Sequence, residues 1–503
     1  MKIPFKTDKI EAHQHLLFPS NLFDRLPEAH DCFLYASLFD QLDTSEVEAL
    51  YSHKGQHGYS PRKLIGILIY GYSHGVFSSR QLEQRCKEDL GFMYTAGLNC
   101  PNFRVLSDFR KNHGAFFKSC FKQTVQLALE LKLASLGHVS LDGSHFKANS
   151  SKHKSMSYKR LKAQEKTLMK EVEQLIGKAS RCDAEEDAAY KEKTGYELPE
   201  DLKFKQQRLE KIKAAKAALE AREAKLNPDQ PIADKKQISF ADTDARIMGK
   251  GKDFDYSYNP QVSVDGDNQI IVGQHMSQQA NDMQEVKPAL DELKESAGQL
   301  PEKLSMDNGY FSGNNLIELE EAMIDAYVAP GRGEVDGECT ALADSQRKLV
   351  KSDFEYDEKT DCFRCPQGQM LPLIKQDKAG RRFYQGESST CTSCPYKSRC
   401  CQSKQGQART ISADDKEPQR QAMREKMNTS DATEIYKKRK HIVEPVFGQI
   451  KNGGFRKFSL RGIEKVKGEF SLVCTAHNIK KIVTAAFKGL VCPKSNKWTA
   501  ITG

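Results

Sequence analysis

The sequence predicts an α/β protein: a mixed sheet with flanking helices, preceded by an all-α domain and interrupted by a helical hairpin and a cysteine-rich segment. Three observations predict it. Apolar residues recur at helical spacing through the first 135 residues, and alternating runs typical of strands begin abruptly near residue 138. Between those runs lie long charged or cysteine-bearing stretches that no strand could absorb. At 503 residues the chain exceeds one ordinary core, and 38% hydrophobic with 29% charged residues excludes a disordered chain.

In chain order, residues from about 20 to 135 read as helical. Leu64, Ile65, Ile67, Leu68 and Gly71 keep helical spacing, with Pro61 as an early helix residue. Gly75–Leu82 reads as a turn followed by a Ser-capped helix, and Pro101-Asn102-Phe103 precedes a basic helix start at Arg104–Arg110. That layout suits a helix-turn-helix-like reader of DNA, and a helical bundle without groove contact has equal claim.

His138–Ser144 alternates as a strand does and carries Asp142. Gln261–Val264 and Gln269–Val272, separated by Asp265-Gly266-Asp267-Asn268, predict an antiparallel hairpin. Before it, Leu161, Leu168 and Leu175 recur every seven residues, as do Ile212, Leu219 and Leu226, with a bend marked by Thr194, Gly195 and Pro199. An antiparallel helical hairpin fits this pattern, and a charged linker is the alternative. Leu304–Tyr310 reads as a strand ending in a turn that carries Asp307, followed by a helix over Asn315–Ala322. A second interruption holds six cysteines between Cys362 and Cys401 and ends in polar sequence expected to be flexible, before helices run from about Thr433 to Leu490.

The formal net charge of +9 matters less than its distribution. Ten lysines or arginines lie between Tyr436 and Lys467, against Glu444 and Glu464. Such a stretch suits phosphate contacts, which give affinity without sequence information. Leu64–Tyr70 is too short to span a bilayer and Met1–Ile10 lacks a signal-peptide pattern, so the cytoplasm is expected. Fourteen cysteines without a secretory signal argue against a disulfide framework.

Acidic side chains from distant segments can converge on two divalent ions and support phosphodiester chemistry. One acid within Tyr436–Lys451 lies in a strongly basic, helix-like segment, where Lys440, Glu444 and Lys451 would share a face. An exposed Lys440–Glu444 ion pair explains the same spacing.

Together, these segments resemble the DDE transposases of insertion sequences, over most of the chain. Tyr59-Ser60-Pro61-Arg62, Ser78-Ser79-Arg80 and Phe109-Arg110 resemble the family's N-terminal helical domain. Leu141-Asp142-Gly143-Ser144 and Met306-Asp307-Asn308-Gly309-Tyr310 resemble its first two catalytic motifs. The third places a tyrosine, an arginine, the glutamate and a lysine along one helix. Glu444 and Lys451 fit it, whereas Arg439 stands one residue too far from Glu444 and Lys440 stands at the expected offset. Phe455–Gly462 and Thr475-Ala476-His477-Asn478 resemble the family's C-terminal end.

The resemblance implies an RNase H-like catalytic domain in which Asp142, Asp307 and Glu444 hold two Mg²⁺ or Mn²⁺ ions for strand cleavage and transfer. The expected domains are 1–135 for DNA binding and 136–490 for catalysis, interrupted at 152–236 and 331–430, with 491–503 as a tail. Expected DNA contacts are Arg439, Lys440, Lys451, Arg456, Lys457 and Arg461, with Arg80 and Arg110 in the N-terminal domain. The partners would be double-stranded element ends and target, bound by a homodimer when the ends are paired, on the nucleoid of a bacterial cytoplasm. His477 reads as a packing residue, with a general base as the alternative. A nuclease of the same fold and a non-catalytic DNA-binding derivative are the other functional readings.

Cys362-Phe363-Arg364-Cys365 and Cys391-Thr392-Ser393-Cys394 have the spacing of paired zinc knuckles, with Cys400 and Cys401 close behind. One structural Zn²⁺ would then be held by Cys365, Cys391 and Cys394 with Cys362 or Cys400, supplying folding energy to an insertion poor in hydrophobic residues. Reduced, unligated thiols are the alternative.

Overall fold

The computed structural model describes residues 21–51, 58–150, 155–189, 200–228, 230–250, 253–330, 348–357, 359–377, 380–401, 407–494 and 497–501. The segment Met1–Ile10 and the expected bend at Thr194, Gly195 and Pro199 lie outside them. The chain forms two compact units, Met1–Phe109 with Val483–Gly503, and Arg110–Ile482.

The first unit is built on α1 (Asp31–Phe39), α2 (Ser45–Glu48), α3 (Pro61–Ser73), α4 (Ser79–Glu88), α5 (Leu90–Ala96) and the start of α6 (Phe103–Asn112). Pro61 opens α3, where its missing N–H costs nothing. From Leu64 to Ser73 every residue of α3 is buried, as in a helix surrounded by others. Gly71 lets α4 approach, since a Cβ there would fall 2.2 Å from Leu82 Cδ2. Ser78 precedes α4 without making a side-chain cap bond. Asp89 does cap α5, accepting from the N–H groups of Gly91 and Phe92.

In the second unit α7 (Gly114–Glu130) opens the fold. The expected boundary at 135 therefore moves to about 110. The reason is packing: Lys118 pairs with Glu292 and Glu295 at 2.8 and 2.7 Å, and Gln126 donates to the Ser296 carbonyl. The main sheet comprises β1 (His138–Gly143) and β2 (Phe146–Lys147), then, beyond the hairpin insertion, β5 (Arg246–Lys250), β6 (Asp253–Asp265) and β7 (Ile271–Ser277). After α10 (Val286–Ala297) come β8 (Lys303–Met306), α11 (Gly313–Glu321) and β9 (Asp325–Val328). β1 pairs antiparallel with β6, which pairs antiparallel with β7, while β1, β8 and β9 run parallel. This is the mixed sheet with flanking helices that the sequence predicts.

The hairpin insertion is α8 (Tyr158–Ala189) against α9 (Glu200–Leu226). It leaves and returns through β3 (Ser155–Ser157) and β4 (Gln237–Ser239), an antiparallel neck. Leu161, Leu168, Ile212 and Leu219 form its core, with Leu175 packed against it, but Leu226 at the helix end is 53% exposed.

The cysteine-rich insertion is an antiparallel sheet of β10 (Glu355–Asp357), β11 (Cys362–Arg364), β12 (Met370–Gln376), β13 (Arg382–Gln385) and β14 (Thr410–Ala413). Two short helices, α12 (Ser388–Thr392) and α13 (Lys397–Cys400), lie between the last two strands. Contrary to expectation the insertion has an apolar core, from Phe354, Phe363, Leu371, Tyr384 and Ile411. The polar sequence after it is also ordered. It forms α14 (Glu417–Met427), where buried Glu417 pairs with Lys351 and Arg424, each at 2.6 Å.

Then follow α15 (Ser430–Ile442), α16 (Glu444–Asn452) and α17 (Ile463–Phe487). Asn478 on α17 mimics a neighbouring strand, exchanging two 2.9 Å bonds with the backbone of Ile271. The expected tail is a hairpin, β15 (Val491–Lys494) with β16 (Lys497–Ala500), fastened in the first unit by Trp498 donating to Ser37. Among the described residues no helix is long and apolar enough to cross a membrane.

Candidate active site

Two parallel neighbours bring the first two acids together. Ser140 on β1 stands opposite Ser305 on β8, their hydroxyls 2.6 Å apart. Asp142 and Asp307 each follow two residues later, so both emerge at the same level of adjacent strands, which lie roughly 4.8 Å apart in any sheet. Asp307 then caps the turn that follows, accepting from Gly309 N–H at 2.8 Å.

Glu444 arrives from a broken helix. The sequence predicts one helix with Lys440, Glu444 and Lys451 on a common face, but α15 stops at Ile442 and α16 starts at Glu444. Pro445 causes the break, because it has no N–H to give to the His441 carbonyl four residues back. That carbonyl accepts from Gln269 Nε2 instead. The changed register turns Arg439 inward and leaves Lys440 exposed. Arg439 Nη2 lies 3.0 Å from Asp142 Oδ2, and Nη1 lies 3.6 Å from Glu444 Oε1. Lys440 has the expected offset from Glu444 in sequence, but in space it is Arg439 that stands beside Asp142 and Glu444.

Burial drives the Asp142 carboxyl up to about 7; Arg439 opposes the rise and the Asp307 charge adds to it. Lys451, from α16, donates to Ser144 Oγ at 2.5 Å and lies 4.9 Å from the centre of the Phe146 ring, beside the end of β1. Burial holds its ammonium below the ordinary lysine range.

A fourth acid was invisible in sequence. Asp282, between β7 and α10, accepts from Asn259 Nδ2 at 2.8 Å and Gln261 Nε2 at 2.6 Å. Gln261 stands opposite Gly143 in the sheet and accepts from the Tyr310 hydroxyl in the Asp307 turn. Asp282 Oδ2 also faces Gly309, where a Cβ would lie 3.2 Å from it. Burial raises the Asp282 carboxyl, the amide donors oppose this, and Asp307 adds to it. The only trace in the sequence is the alternation Asn259, Gln261, Ser263, Asp265, which reads as a solvent face yet is buried throughout.

The other expected site residues divide. Arg456, Lys457 and Arg461 are exposed, Arg461 tied to the Asn149 carbonyl and Arg456 to that of Lys451. In the first unit Arg80 is exposed and stacks 4.9 Å from the Phe103 ring centre. Arg110 and Arg439 are each 6% exposed and do not offer their charges to the surface. Arg110 instead faces Glu469, whose carboxylate accepts from the N–H groups of Ser459 and Leu460. His477 is buried and bonded to the Gln269 carbonyl, and burial lowers its imidazole to about 4.

Cys365, Cys391, Cys394, Cys400 and Cys401 line one cavity of about 450 Å³. Burial raises the Cys400 thiol to about 11, with Arg409 opposing and Cys391, Cys401 and Cys394 adding. Cys362 is buried elsewhere, within 2.8 Å of Thr360 Oγ1. Among the described residues no three His, Cys, Asp or Glu side chains are grouped closely enough to hold a metal as they stand. In the acidic site the Arg439 guanidinium sits between Asp142 and Glu444, and the donors around it are carboxylate oxygens, which hard divalent cations prefer.

Two family models match the chain. One, described as a transposase DDE domain, covers residues 364–483 and so takes in Arg439, Glu444 and Lys451. The other, described as a transposase domain (DUF772), covers residues 20–112, the span of α1–α6. Neither the curated proteins nor the solved structures compared with the chain gave a match.

Proposed function

The chain belongs to the insertion-sequence DDE transposases, and from that premise we propose that it binds the terminal inverted repeats of its element, cleaves the strand at their ends and transfers it into target DNA. The observation that carries this reading is the emergence of Asp142 at the end of β1 and of Asp307 just past the end of its parallel neighbour β8, with Arg439 joining Asp142 to Glu444. The strand order, β7-β6-β1 antiparallel and β1-β8-β9 parallel, supports an RNase H-like catalytic domain.

Asp142, Asp307 and Glu444 would hold two Mg²⁺ or Mn²⁺ ions, which would supply activation of the attacking oxygen and charge stabilisation at the leaving one. The protein's own groups prepare that site. Arg439 fixes the carboxylates of Asp142 and Glu444 while their charges are otherwise unbalanced. Asp282 fixes Gln261, and Gln261 in turn holds Tyr310 and the Asp307 turn. Lys451, Lys440, Arg456, Lys457 and Arg461 supply positive charge along the path of the phosphates, and α3–α6 with Arg80 read the element ends. A homodimer acting on paired ends, in the cytoplasm and on the nucleoid, completes the proposal.

The test is a cleavage and strand-transfer assay on DNA carrying the element's ends. Asp307→Ala should abolish both reactions and leave end binding largely intact, because the acids act as a unit. Full cleavage by that variant would overturn the site, and wild-type cleavage without strand transfer would make the chain a nuclease.

A further inference from the structure

We propose that Cys365, Cys391, Cys394 and Cys400 form a tetrathiolate zinc site that fastens α12 and α13 to the sheet of the cysteine-rich insertion. This site is independent of the acidic one. Six thiols compete for four places, and the local backbone sorts them.

Cys362 is excluded by strand parity. β11 runs extended through Cys362–Arg364, so Cys362 projects from the face opposite to Phe363, and Phe363 shares its face with Cys365. Phe363 lies in the insertion's core, and Cys365 packs against that core while lining the cavity. The first Cys-x-x-Cys is therefore no knuckle. The turn that presents a sulfur is the next one, Cys365-Pro366-Gln367-Gly368, closed by Gly368 N–H donating to the Cys365 carbonyl at 2.8 Å. Gly368 takes φ +75°, which favours glycine.

On the opposite wall, Cys391 and Cys394 flank the end of α12, and Cys400 ends α13. Gly386 admits the Cys391 sulfur closely, since a Cβ there would stand 3.1 Å from Sγ. Cys401 directs its sulfur to the Gln407 carbonyl at 3.1 Å. Four thiols remain around the cavity.

A second observation asks for a cross-link. Helices of five and four residues are far below the length that is stable alone, and no residue of α12 or α13 is fully buried. Their apolar packing is confined to Cys400 and the neighbouring Tyr396, each only partly buried against the insertion's core. Sulfur-only tetrahedral coordination suits zinc, and the energy of such a site is folding energy. The sulfurs border the cavity without yet standing at ligating separations, so zinc binding would have to bring them closer together.

The test is metal analysis of the full-length protein purified without chelator and recovered as a folded species by gel filtration. About one zinc per chain is expected, with four sulfurs at about 2.3 Å by X-ray absorption. Cys391→Ser and Cys400→Ser should lose most of the zinc, while Cys362→Ala and Cys401→Ser keep it. Asp142→Asn should also keep it, which separates this site from the acidic one. A metal-free wild type whose insertion resists protease, or loss of zinc from Cys362→Ala with retention in Cys400→Ser, would overturn the assignment.

Discussion

Replacing Gly143 with alanine tests how tightly the end of β1 is held beside its acid. The added Cβ would fall 2.2 Å from Gln261 Nε2 and 2.9 Å from both Gln261 Cδ and Asn259 Oδ1. Reaching ordinary contact needs roughly 1 Å of movement. A free amide would swing away, but Gln261 is fully buried, bonded to Asp282 at one end and to Tyr310 at the other. The strain therefore falls on β1 and displaces Asp142. A 1 Å misplacement at a reacting centre costs on the order of 100-fold in rate, about 2.7 kcal/mol of barrier. Overpacking should lower stability by about 1–3 kcal/mol. The assay is single-turnover cleavage of end-bearing DNA, with binding measured in parallel. The control is Gly448→Ala, because a Cβ there meets nothing within 4 Å. Wild-type cleavage by Gly143→Ala would refute the claim that the Gln261 bridge fixes the site.

Leu219→Ala should destabilise the hairpin insertion by about 2–5 kcal/mol, since Leu219 is fully buried in its core, and limited proteolysis should then cut between α8 and α9 first. Unchanged protease resistance would contradict that packing. Asp414 is held below the usual carboxylate range chiefly by Arg420, which donates to both its oxygens at 2.6 and 2.7 Å. A depressed folded-state pKa gives stability that is present above the unfolded value and lost as pH falls through the folded one. Asp414→Asn should thus melt below wild type at neutral pH, with the gap closing below about pH 4. A gap that persists in acid would count against the ion pair.

The sequence makes β1, β8 and the β6–β7 hairpin legible because each couples a period-two pattern to a turn with its own chemistry. It makes Asp142, Asp307 and Glu444 legible only through motif resemblance, since nothing local distinguishes them from turn or surface acids. Four features escaped it for physical reasons. Pro445 was visible, but its effect on register was not, so Arg439 stood one residue out of place until the helix broke. Asn259 and Gln261 gave no sign of a buried polar network, because alternation cannot tell such a network from water. The Cys362–Cys365 spacing imitates a knuckle, yet in a continuous strand an offset of three puts the side chains on opposite faces. α7 was assigned to the wrong unit because helical periodicity reports a buried face and not what covers it.

The neck formed by β3 and β4 gives the hairpin insertion the mechanics of an outrigger. The hairpin leaves through β3 and returns through β4, each three residues long, so its length can change by whole turns without altering the pairing of β1 with β6. At 1.5 Å per residue the 27 residues of α9 extend about 40 Å. That reach slightly exceeds one turn of B-form DNA, about 34–36 Å. Over that length, a few degrees of rotation at the neck corresponds to several ångströms at the far end.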